Sequence, residues 1–574
     1  MTLLLLLACQ AATTLLSSPL KTSLATTPDL EALDTPTSFV APTLSPIAPP
    51  AEAPQSGQEK SLPEQTAEDF QIRLHPDAPF YSGDRVSAEI IASDEVNIHN
   101  LQAVLSLEGT TLGQAAFGEY GIGGRKQATL YWVWDTTGLE AGNYPLVYTI
   151  QPTGLSFTET VTLLPAGLKP VSEANARWAS TSSDCCTIYY ITGTAAQRDI
   201  DSLVAMIDEQ AEDVSQKLGA EFQEPVSITL LPRVMGHGGF TSTDISVSYL
   251  DRNYAGSSPQ IVLHHELAHV LDSSLGGDLR PTLLLEGLAV YLTGGHFKPE
   301  PLMPRAAALL ELDWYLPLDQ LADSFYPSQH EIGYLEAGAL VEFMVKTWGW
   351  QGFSDFYRDI HPLHEDASQS KAIGAALREH FGLSFRQVEE QFLQALRAEE
   401  INDDLRTDVR QTVRLYDAIR KYQQILDPSA YFMTAWLPDS EQMRQRGIVA
   451  DYLRHPVAIE NQVIEALLVA ADAFLQAGDY SEVEKHLEAT DLTLRLIQAG
   501  IPGAIYFHPL TAEYQALITL LSKRGFEAQR ISIEGDKAQV WGTSTLSGAG
   551  GSKLTEFNLV RGQGGWKILQ QLNY

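Results

Sequence analysis

Positively charged residues are scarce in this sequence. Lys and Arg account for 38 of its 574 residues, against 72 Asp and Glu, which gives a formal net charge of −34. Because binding to phosphate backbones requires patches of Lys and Arg, nucleic acid is excluded as an expected partner. Long apolar runs are also missing. None reaches the roughly 18 residues that a transmembrane helix needs, so the sequence predicts no membrane-spanning helix.

Cysteine is nearly absent, with three residues in the whole chain. Cys185 and Cys186 are adjacent, which predicts either two buried thiols or one strained bridge between neighbours. A zinc site is not expected at this pair, since no Cys-x-x-Cys spacing accompanies it.

The remaining cysteine, Cys9, comes directly after the run Leu6-Leu7-Ala8. This run resembles the lipobox of bacterial lipoproteins, in which the cysteine is acylated after the signal is cleaved. The resemblance implies a signal peptide over residues 1–9 and a membrane anchor through the lipid on Cys9. It also implies an extracytoplasmic location at the bacterial cell surface. The alternative is a chance Ala-Cys pair after leucines.

The first half of the chain changes composition near residue 66. Residues 10–66 are rich in Thr, Ser, Pro and Ala and nearly lack aromatics, which predicts a disordered tether because too little surface can be buried to fold. Residues 67–167 carry five short alternating runs separated by turns, the pattern of a small antiparallel β-sandwich. This unit resembles the immunoglobulin-like modules of bacterial surface proteins. We expect a spacer, with a ligand-binding module as the alternative.

The second half predicts three further segments. Residues 172–400 carry three strand patterns followed by a strongly helical stretch, residues 401–505 are helical, and residues 506–574 combine one helix with four strand candidates. The ending of the last segment resembles the sheet of an NTF2-like domain. The expected fold class is therefore multidomain, with a β-sandwich, an α+β domain, a helical segment and a small α+β C-terminal domain.

The central motif is His265-Glu266-x-x-His269. Residues four apart lie on one face of a helix, so both imidazoles can reach one metal ion, and neutral imidazole suits Zn²⁺. Glu266 follows the first histidine directly. From this position its carboxylate can accept a proton from a zinc-bound water. Ser258 and Pro259 supply an N-cap and a favoured first residue, which places the motif on a helix.

A suitable third ligand follows the motif. Pro281 opens a second helical stretch over residues 282–293, which contains a Glu-Gly-x-Ala sequence beginning at Glu286. The 17 positions from His269 to Glu286 allow a turn and an antiparallel return. Such a return would bring the carboxylate back toward the histidines.

This pair of motifs resembles the gluzincin metallopeptidases, and especially the peptidase MA-like families of bacterial surface proteins. The resemblance covers about residues 180–400 and implies a zincin-like α+β catalytic domain. It further implies Zn²⁺ held by His265, His269 and Glu286, with Glu266 as general base. The implied activity is hydrolysis of peptide bonds in a peptide or protein substrate. An amphipathic hairpin whose histidines merely pack is the non-catalytic alternative.

A zinc peptidase also needs a group that stabilises the oxyanion of the tetrahedral intermediate. The run that begins at Tyr334 resembles the family's tyrosine-containing helix, which makes Tyr334 the candidate, with a plain packing role as the alternative. His296 follows the Glu286 helix and His330 lies just before Tyr334; both are expected to be surface-loop histidines, with a role in the site as the alternative.

Three features around the motif receive weaker predictions. Asp272 is either an acceptor that orients an imidazole or part of a solvated helix end. His264 is expected to be structural, because it points to another face of the helix. The strand predicted at residues 245–250 follows the glycine-rich run 236–240, and we expect an edge strand here to pair with an extended substrate. The alternative for the run 236–240 is a flexible loop.

The sequence therefore predicts a cell-surface zinc metallopeptidase. An endopeptidase is favoured, since residues 236–240 lack the glutamate with which gluzincin aminopeptidases hold a substrate amine. The alternative from another class is a catalytically inactive zincin-fold lipoprotein that serves as a surface binding or scaffold protein. A zinc hydrolase of a non-peptide bond is a third possibility.

Overall fold

The structure is a computed structural model, and it describes residues 66–242, 244–256, 258–275, 277–364, 368–545 and 553–573. The expected signal peptide with Cys9, and the expected tether up to residue 65, lie outside the described residues. Among the helices that are described, none combines the length and the apolar character needed to cross a bilayer.

The first unit is a sandwich of two sheets. Its strands are β1 (Phe70–His75), β2 (Phe80–Tyr81), β3 (Arg85–Ala92), β4 (Gln102–Leu107), β5 (Thr110–Ala116), β6 (Gly118–Tyr120), β7 (Arg125–Asp135), β8 (Gly142–Gln151) and β9 (Leu155–Leu164). They form one sheet in the order β1-β3-β7-β6 and a second in the order β2-β9-β8-β4-β5. Alternate residues of β3 and β8 are buried between the sheets, as a two-residue period requires.

The second unit carries the histidine motif. After a short helix α1 (Val171–Ala174), its strands are β10 (Trp178–Ser182), β11 (Cys186–Ile191), β12 (Val226–Leu231), β13 (Gly239–Thr241) and β14 (Ile245–Ser248), in the sheet order β10-β11-β12-β14-β13. Strands β11, β12 and β14 are parallel, while β10 and β13 pair antiparallel at the two ends. Cys185 and Cys186 form a disulfide at the start of β11, which is the second of the two predicted alternatives.

Helices cover this sheet. They are α2 (Ala195–Arg198), α3 (Ile200–Leu218), α4 (Pro259–Asp272), α5 (Thr282–Thr293), α6 (Leu302–Glu311), α7 (Leu318–Asp323), α8 (His330–Arg358), α9 (Gln369–Phe381) and α10 (Phe385–Leu396). Helix α8 is interrupted at Gly349, whose φ of 76° lies in the left-handed region that glycine tolerates. Helices α3, α4, α5 and α8 share one hydrophobic core with the sheet.

The C-terminal part combines helices with a four-stranded antiparallel sheet. Its elements are α11 (Asp403–Leu426), α12 (Ser440–Arg446), α13 (Ala450–Leu453), α14 (Ile459–Ala477), α15 (Tyr480–Gln498), α16 (Pro509–Ser522), β15 (Phe526–Glu534), β16 (Lys537–Ser544), β17 (Leu554–Gly562) and β18 (Gly565–Asn573). Buried residues of α14, α15, α16 and the sheet belong to one core. The predicted division at residue 505 is therefore not a division between hydrophobic cores.

Helix α11 joins the two main cores. Val409 and Val413 belong to the core around α4 and α5, whereas Tyr416 and Ile419 belong to the C-terminal core. The buried carboxylate of Asp408 also accepts hydrogen bonds from Lys298 (2.6 Å) and Arg305 (2.5 Å), which lie after α5 and in α6.

The β-sandwich packs on the C-terminal part of the chain, at the segment between α11 and α12. The turn between β6 and β7 reaches the segment before α12: the Gly123 amide donates to the Met433 carbonyl (2.9 Å), and the Tyr120 hydroxyl donates to the Ala435 carbonyl (3.0 Å). Trp436 from this segment stacks on His75 of the sandwich, with ring centroids 3.9 Å apart. The composition of residues 67–167 and their alternating pattern do not predict these contacts with a distant part of the chain.

Candidate metal centre

Helix α4 presents the histidine motif to the interior. The Ser258 hydroxyl accepts from the Ile261 amide (3.3 Å), and Pro259 occupies the first turn, so the helix begins as the sequence predicts. His265, Glu266 and His269 are all nearly buried, with exposures of 9%, 6% and 5%. Three polar side chains in an apolar surrounding require polar partners.

The structure brings His265, His269 and Glu286 together. The Nε2 atoms of the two histidines are 3.0 Å apart, and the Oε2 atom of Glu286 lies 3.2 Å from the first and 3.4 Å from the second. Tetrahedral zinc with bonds of about 2.0–2.1 Å spaces neighbouring ligand atoms roughly 3.3 Å apart. The three donor atoms therefore already have the spacing of a metal-binding face.

A close approach of two helices positions Glu286. Helix α5 crosses α8 at Gly287, where an added Cβ would lie 2.4 Å from the carbonyl oxygen of Ala337. Only glycine permits this contact, since any side chain would push the helices apart. Gly287 therefore determines how closely α5 approaches α8, and with it the position of the fully buried Glu286 carboxylate.

The electrostatics of the three groups are mutually dependent. Burial favours a neutral Glu286, but the charge of His269 and the hydrogen bonds of both histidines hold its pKa well below the usual value. Burial lowers the pKa of His265 to about 4, whereas the Glu286 carboxylate outweighs burial and raises the pKa of His269 to about 9. The negative charge of the Glu286 carboxylate is thus balanced by the proton on His269. A bound metal cation would displace this proton.

Glu266 points from the same helix toward strand β13. Its Oε2 atom accepts a hydrogen bond from the Thr241 hydroxyl (2.7 Å), which fixes the carboxyl group beside the histidines. Burial raises the pKa of Glu266 to about 7. A carboxyl group in such an environment is suited to accept and return a proton near neutral pH.

Tyr326 is a contact that sequence reasoning missed. Its hydroxyl donates to the Oε1 atom of Glu286 at 2.7 Å, on the side of the carboxylate away from the histidines. Such an outer partner orients a metal-binding carboxylate. Tyr326 lies in the connection after α7, where no motif or period distinguishes it from other tyrosines.

The structure places Tyr334 beside the metal-binding face. Its ring is buried, with its centroid 5.9 Å from that of His265, and stacks on His296 at 4.3 Å. These ring contacts show the packing role that the sequence left open for Tyr334.

The expectation that His296 and His330 are surface-loop residues is wrong. His330 is only 5% exposed and stacks on His237 with ring centroids 3.8 Å apart. The Nδ1 atom of His296 lies 2.7 Å from the buried carboxylate of Glu331. Both histidines join an aromatic cluster because the chain after α5 folds back under the start of α8, which short-range patterns do not predict.

Two neighbours of the motif have structural partners. Asp272 is 2% exposed and accepts from the Tyr357 hydroxyl (3.1 Å), so the alternative of a solvated helix end is wrong. His264 points away from the centre, with its ring nitrogens 2.8 Å from Asp213 and 2.9 Å from Thr293, in agreement with the structural role expected for it.

The edge strand beside the centre is β13, and not the strand predicted at residues 245–250. Strand β14 lies inside the sheet between β12 and β13, and β13 ends the sheet. Gly239 of β13 packs so closely on α4 that an added Cβ would lie 2.3 Å from Val262 and 3.2 Å from the Oε1 atom of Glu266. Gly239 and Phe240 of the glycine-rich run thus belong to the edge strand itself, where a flexible loop was the alternative.

Comparison with known proteins adds little to this geometry. No family model matches the chain, and no curated protein matches it. Among solved structures, the chain is similar to a mutant of a two-domain M1 zinc metallopeptidase bound to L-arginine, at 15% identity and a TM-score of 0.23. The similarity covers 51% of this chain and 60% of that chain. At this level it carries no functional argument.

Proposed function

We propose that this protein is a zinc-dependent metallopeptidase that hydrolyses peptide bonds. The observation that carries the proposal is the set of three donor atoms on His265, His269 and Glu286, spaced 3.0–3.4 Å apart, with Glu266 beside them. Two imidazoles and one carboxylate form a known catalytic zinc set, which leaves a fourth position for water or substrate. Zinc held there supplies Lewis-acid activation of water and of the scissile carbonyl.

The surrounding side chains have separate tasks in this reaction. Glu266, held by Thr241, accepts the proton of the attacking water and returns it to the leaving amine. Tyr334 donates a hydrogen bond to the oxyanion that develops on the carbonyl. Tyr326 keeps the Glu286 carboxylate in its ligating orientation.

The edge strand β13 supports a peptide as the substrate. An extended chain can add to the edge of a sheet through main-chain hydrogen bonds, and β13 lies directly against Glu266. Residues 236–241 contain no acidic side chain that would hold a free amino terminus. We therefore propose an endopeptidase, which acts at the cell surface if Cys9 carries the expected lipid anchor.

The direct test is metal analysis and peptide hydrolysis by the purified chain from residue 66 onward. We expect about one zinc per chain and cleavage of peptides whose amino termini are acetylated. Cleavage of free peptides alone would indicate an aminopeptidase. Bound zinc without any cleavage would favour the inactive surface binding or scaffold protein, and absence of metal would contradict the site assignment.

Two tyrosines beside the centre provide a matched pair of variants. Tyr326→Phe removes the hydrogen bond to Glu286, so we expect metal affinity to weaken about 10–100-fold. Tyr334→Phe should leave metal affinity unchanged and lower kcat by about 10²–10³, with little change in KM. Competition with a fluorescent zinc chelator measures the first effect, and steady-state kinetics measure the second. Equal metal affinity in all three proteins would refute the role of Tyr326, and an unchanged kcat in Tyr334→Phe would refute that of Tyr334.

A further inference from the structure

A polar cavity lies where the five-stranded sheet of the second unit meets the C-terminal part. One side is lined by the connections that follow the parallel strands β11, β12 and β14, with Thr194, Arg233 and Asp251 among their residues. Glu465 of α14 and Glu527 of β15 belong to the other side. In α/β sheets, ligands bind in the crevice outside the carboxyl ends of the parallel strands. The cavity occupies this position.

The cavity has room for a small molecule. Its volume is about 150 Å³, and an apolar cavity of about 150 Å³ takes up one benzene molecule. Glu527 lies at the side that is open to solvent, because its side chain is 36% exposed. None of the described residues that line the cavity belongs to the candidate metal centre. A ligand bound here is therefore separate from a substrate at the metal.

The two guanidinium groups in the lining already have partners in the protein. Each of the three nitrogens of Arg252 donates a hydrogen bond, to Glu465 (2.7 Å), to Glu527 (2.8 Å) and to a backbone carbonyl (2.7 Å). The Nη2 atom of Arg233 donates to Asp427 at 2.9 Å. Neither guanidinium group is therefore left unpaired for an anionic ligand.

Negative charge is in excess around the cavity. The lining contains two guanidinium groups and four carboxylates, those of Asp251, Asp427, Glu465 and Glu527. Arg198, which is outside the lining, neutralises Asp251 through a contact of 2.8 Å. The remaining carboxylates still exceed the guanidinium groups by one. The net charge of the whole chain, −34, adds to the negative potential, so a cationic ligand is favoured.

Three carboxylate and amide oxygens in the lining accept no hydrogen bond from any described residue. They are Oδ2 of Asp427, Oε2 of Glu527 and Oε1 of Gln529. Asp427 and Gln529 are nearly buried, with exposures of 3% and 8%. Because a buried acceptor without a partner costs free energy, these oxygens favour a ligand that donates several hydrogen bonds.

We propose that this cavity binds a small organic amine, whose ammonium groups donate to Asp427 and Glu527. The positive charge of such a ligand balances the excess carboxylate, and charge-assisted hydrogen bonds are the strong ones. A metal ion fits less well, because among the described residues only His265, His269 and Glu286 are grouped closely enough to hold one. The C-terminal sheet then takes part in binding a ligand, and this binding does not depend on the proposed peptidase activity.

A titration of the full chain with diaminobutane, followed by ligand-observed NMR, tests this binding. We expect one molecule bound per chain, with a Kd of about 1 mM or below. Butanediol has nearly the same size and no charge, while succinate has a similar length and two negative charges. Both should bind at least about tenfold more weakly than the diamine, since the carboxylates of the lining favour a charged donor.

Glu527→Gln tests the contribution of charge. The amide keeps an oxygen that accepts from Arg252, but the negative charge that faces the cavity is lost. We expect the Kd for diaminobutane to rise about tenfold, and thermal unfolding without ligand checks that the variant is folded. Glu534→Gln, the same change at an exposed residue of the same strand, is the matched control and should bind as wild type.

Four results would overturn the proposal. Equal affinity in wild type and both variants would place the amine elsewhere on the protein. Tighter binding of succinate than of diaminobutane would make the cavity an anion site. No binding of diaminobutane at about ten times the expected Kd would mean that the cavity holds water only. Loss of binding after treatment with a chelator would mean that the amine binds the metal, whereas the proposed cavity should bind equally well without it.

Discussion

Replacing Glu266 with Gln should lower kcat by about 10²–10⁴ while the metal content stays near one ion per chain. Gln has nearly the same size as Glu and retains an oxygen that accepts from the Thr241 hydroxyl, so the local packing is conserved. The amide has no basic oxygen, however, and is unable to take the proton of the attacking water. Steady-state kinetics on an acetylated peptide, together with metal analysis, measure both quantities.

The matched control for this change is Glu212→Gln. Glu212 lies on α3, is exposed, and interacts with Gln216 on the same helix, so the same chemical change there should leave kcat unaltered. Wild-type turnover by Glu266→Gln would remove the general base from the mechanism. Loss of metal from this variant would instead make Glu266 a structural support of the site.

Removing the metal with a chelator should abolish hydrolysis and destabilise the domain that contains α4, and added Zn²⁺ should restore both. A ligand that binds only the folded state stabilises it by about 4 kcal/mol when present at a thousand times its Kd. Without the cation, the buried Glu286 carboxylate depends on a proton at His269 for its charge balance. Thermal unfolding with chelator, and after readdition of Zn²⁺, measures the change in Tm.

Glu286→Ala separates this effect from general damage by the chelator. The variant lacks one of the three donor atoms, so we expect little bound zinc, no hydrolysis, and a Tm that responds weakly to chelator or Zn²⁺. If wild type and variant bind zinc equally and respond equally to the chelator, Glu286 is not a ligand and the centre must be reassigned.

Short-range patterns predicted the elements of the site more reliably than its surroundings. Spacing by four on a capped helix predicted that His265 and His269 share a face, and α4 begins at Pro259 as expected. The 17 positions from His269 to Glu286 allowed a return of the chain, and the contact of Gly287 with Ala337 gives the physical reason for the glycine after Glu286.

The contacts that sequence reasoning missed all depend on long-range packing. Tyr326 reaches Glu286 from a connection without a motif, 40 residues further along the chain. His330 was expected in a loop at the surface, but α8 begins there beneath the aromatic cluster. Burial of a side chain by segments distant in sequence leaves no periodic signal along the chain.

The prediction of the strands in the five-stranded sheet was limited in a similar way. Alternation at Ile245–Ser248 revealed a strand, but alternation does not tell an interior strand from an edge strand when both faces are covered. The three residues of β13 are too few to show a period, so the edge strand itself was overlooked.

The position of α11 limits how short a fragment that carries the candidate metal centre can be and still fold. A fragment ending near residue 400 would leave Arg305 buried without the carboxylate of Asp408, and would strip Val409 and Val413 from the core that supports α5. Arg305 would keep the buried carboxylates of Glu300 and Glu331, but the buried network of charges would lose one member, which is destabilising. The unit that carries the candidate metal centre therefore does not end after α10, and gene fusions or losses that preserve its fold are expected to keep the C-terminal helices with it.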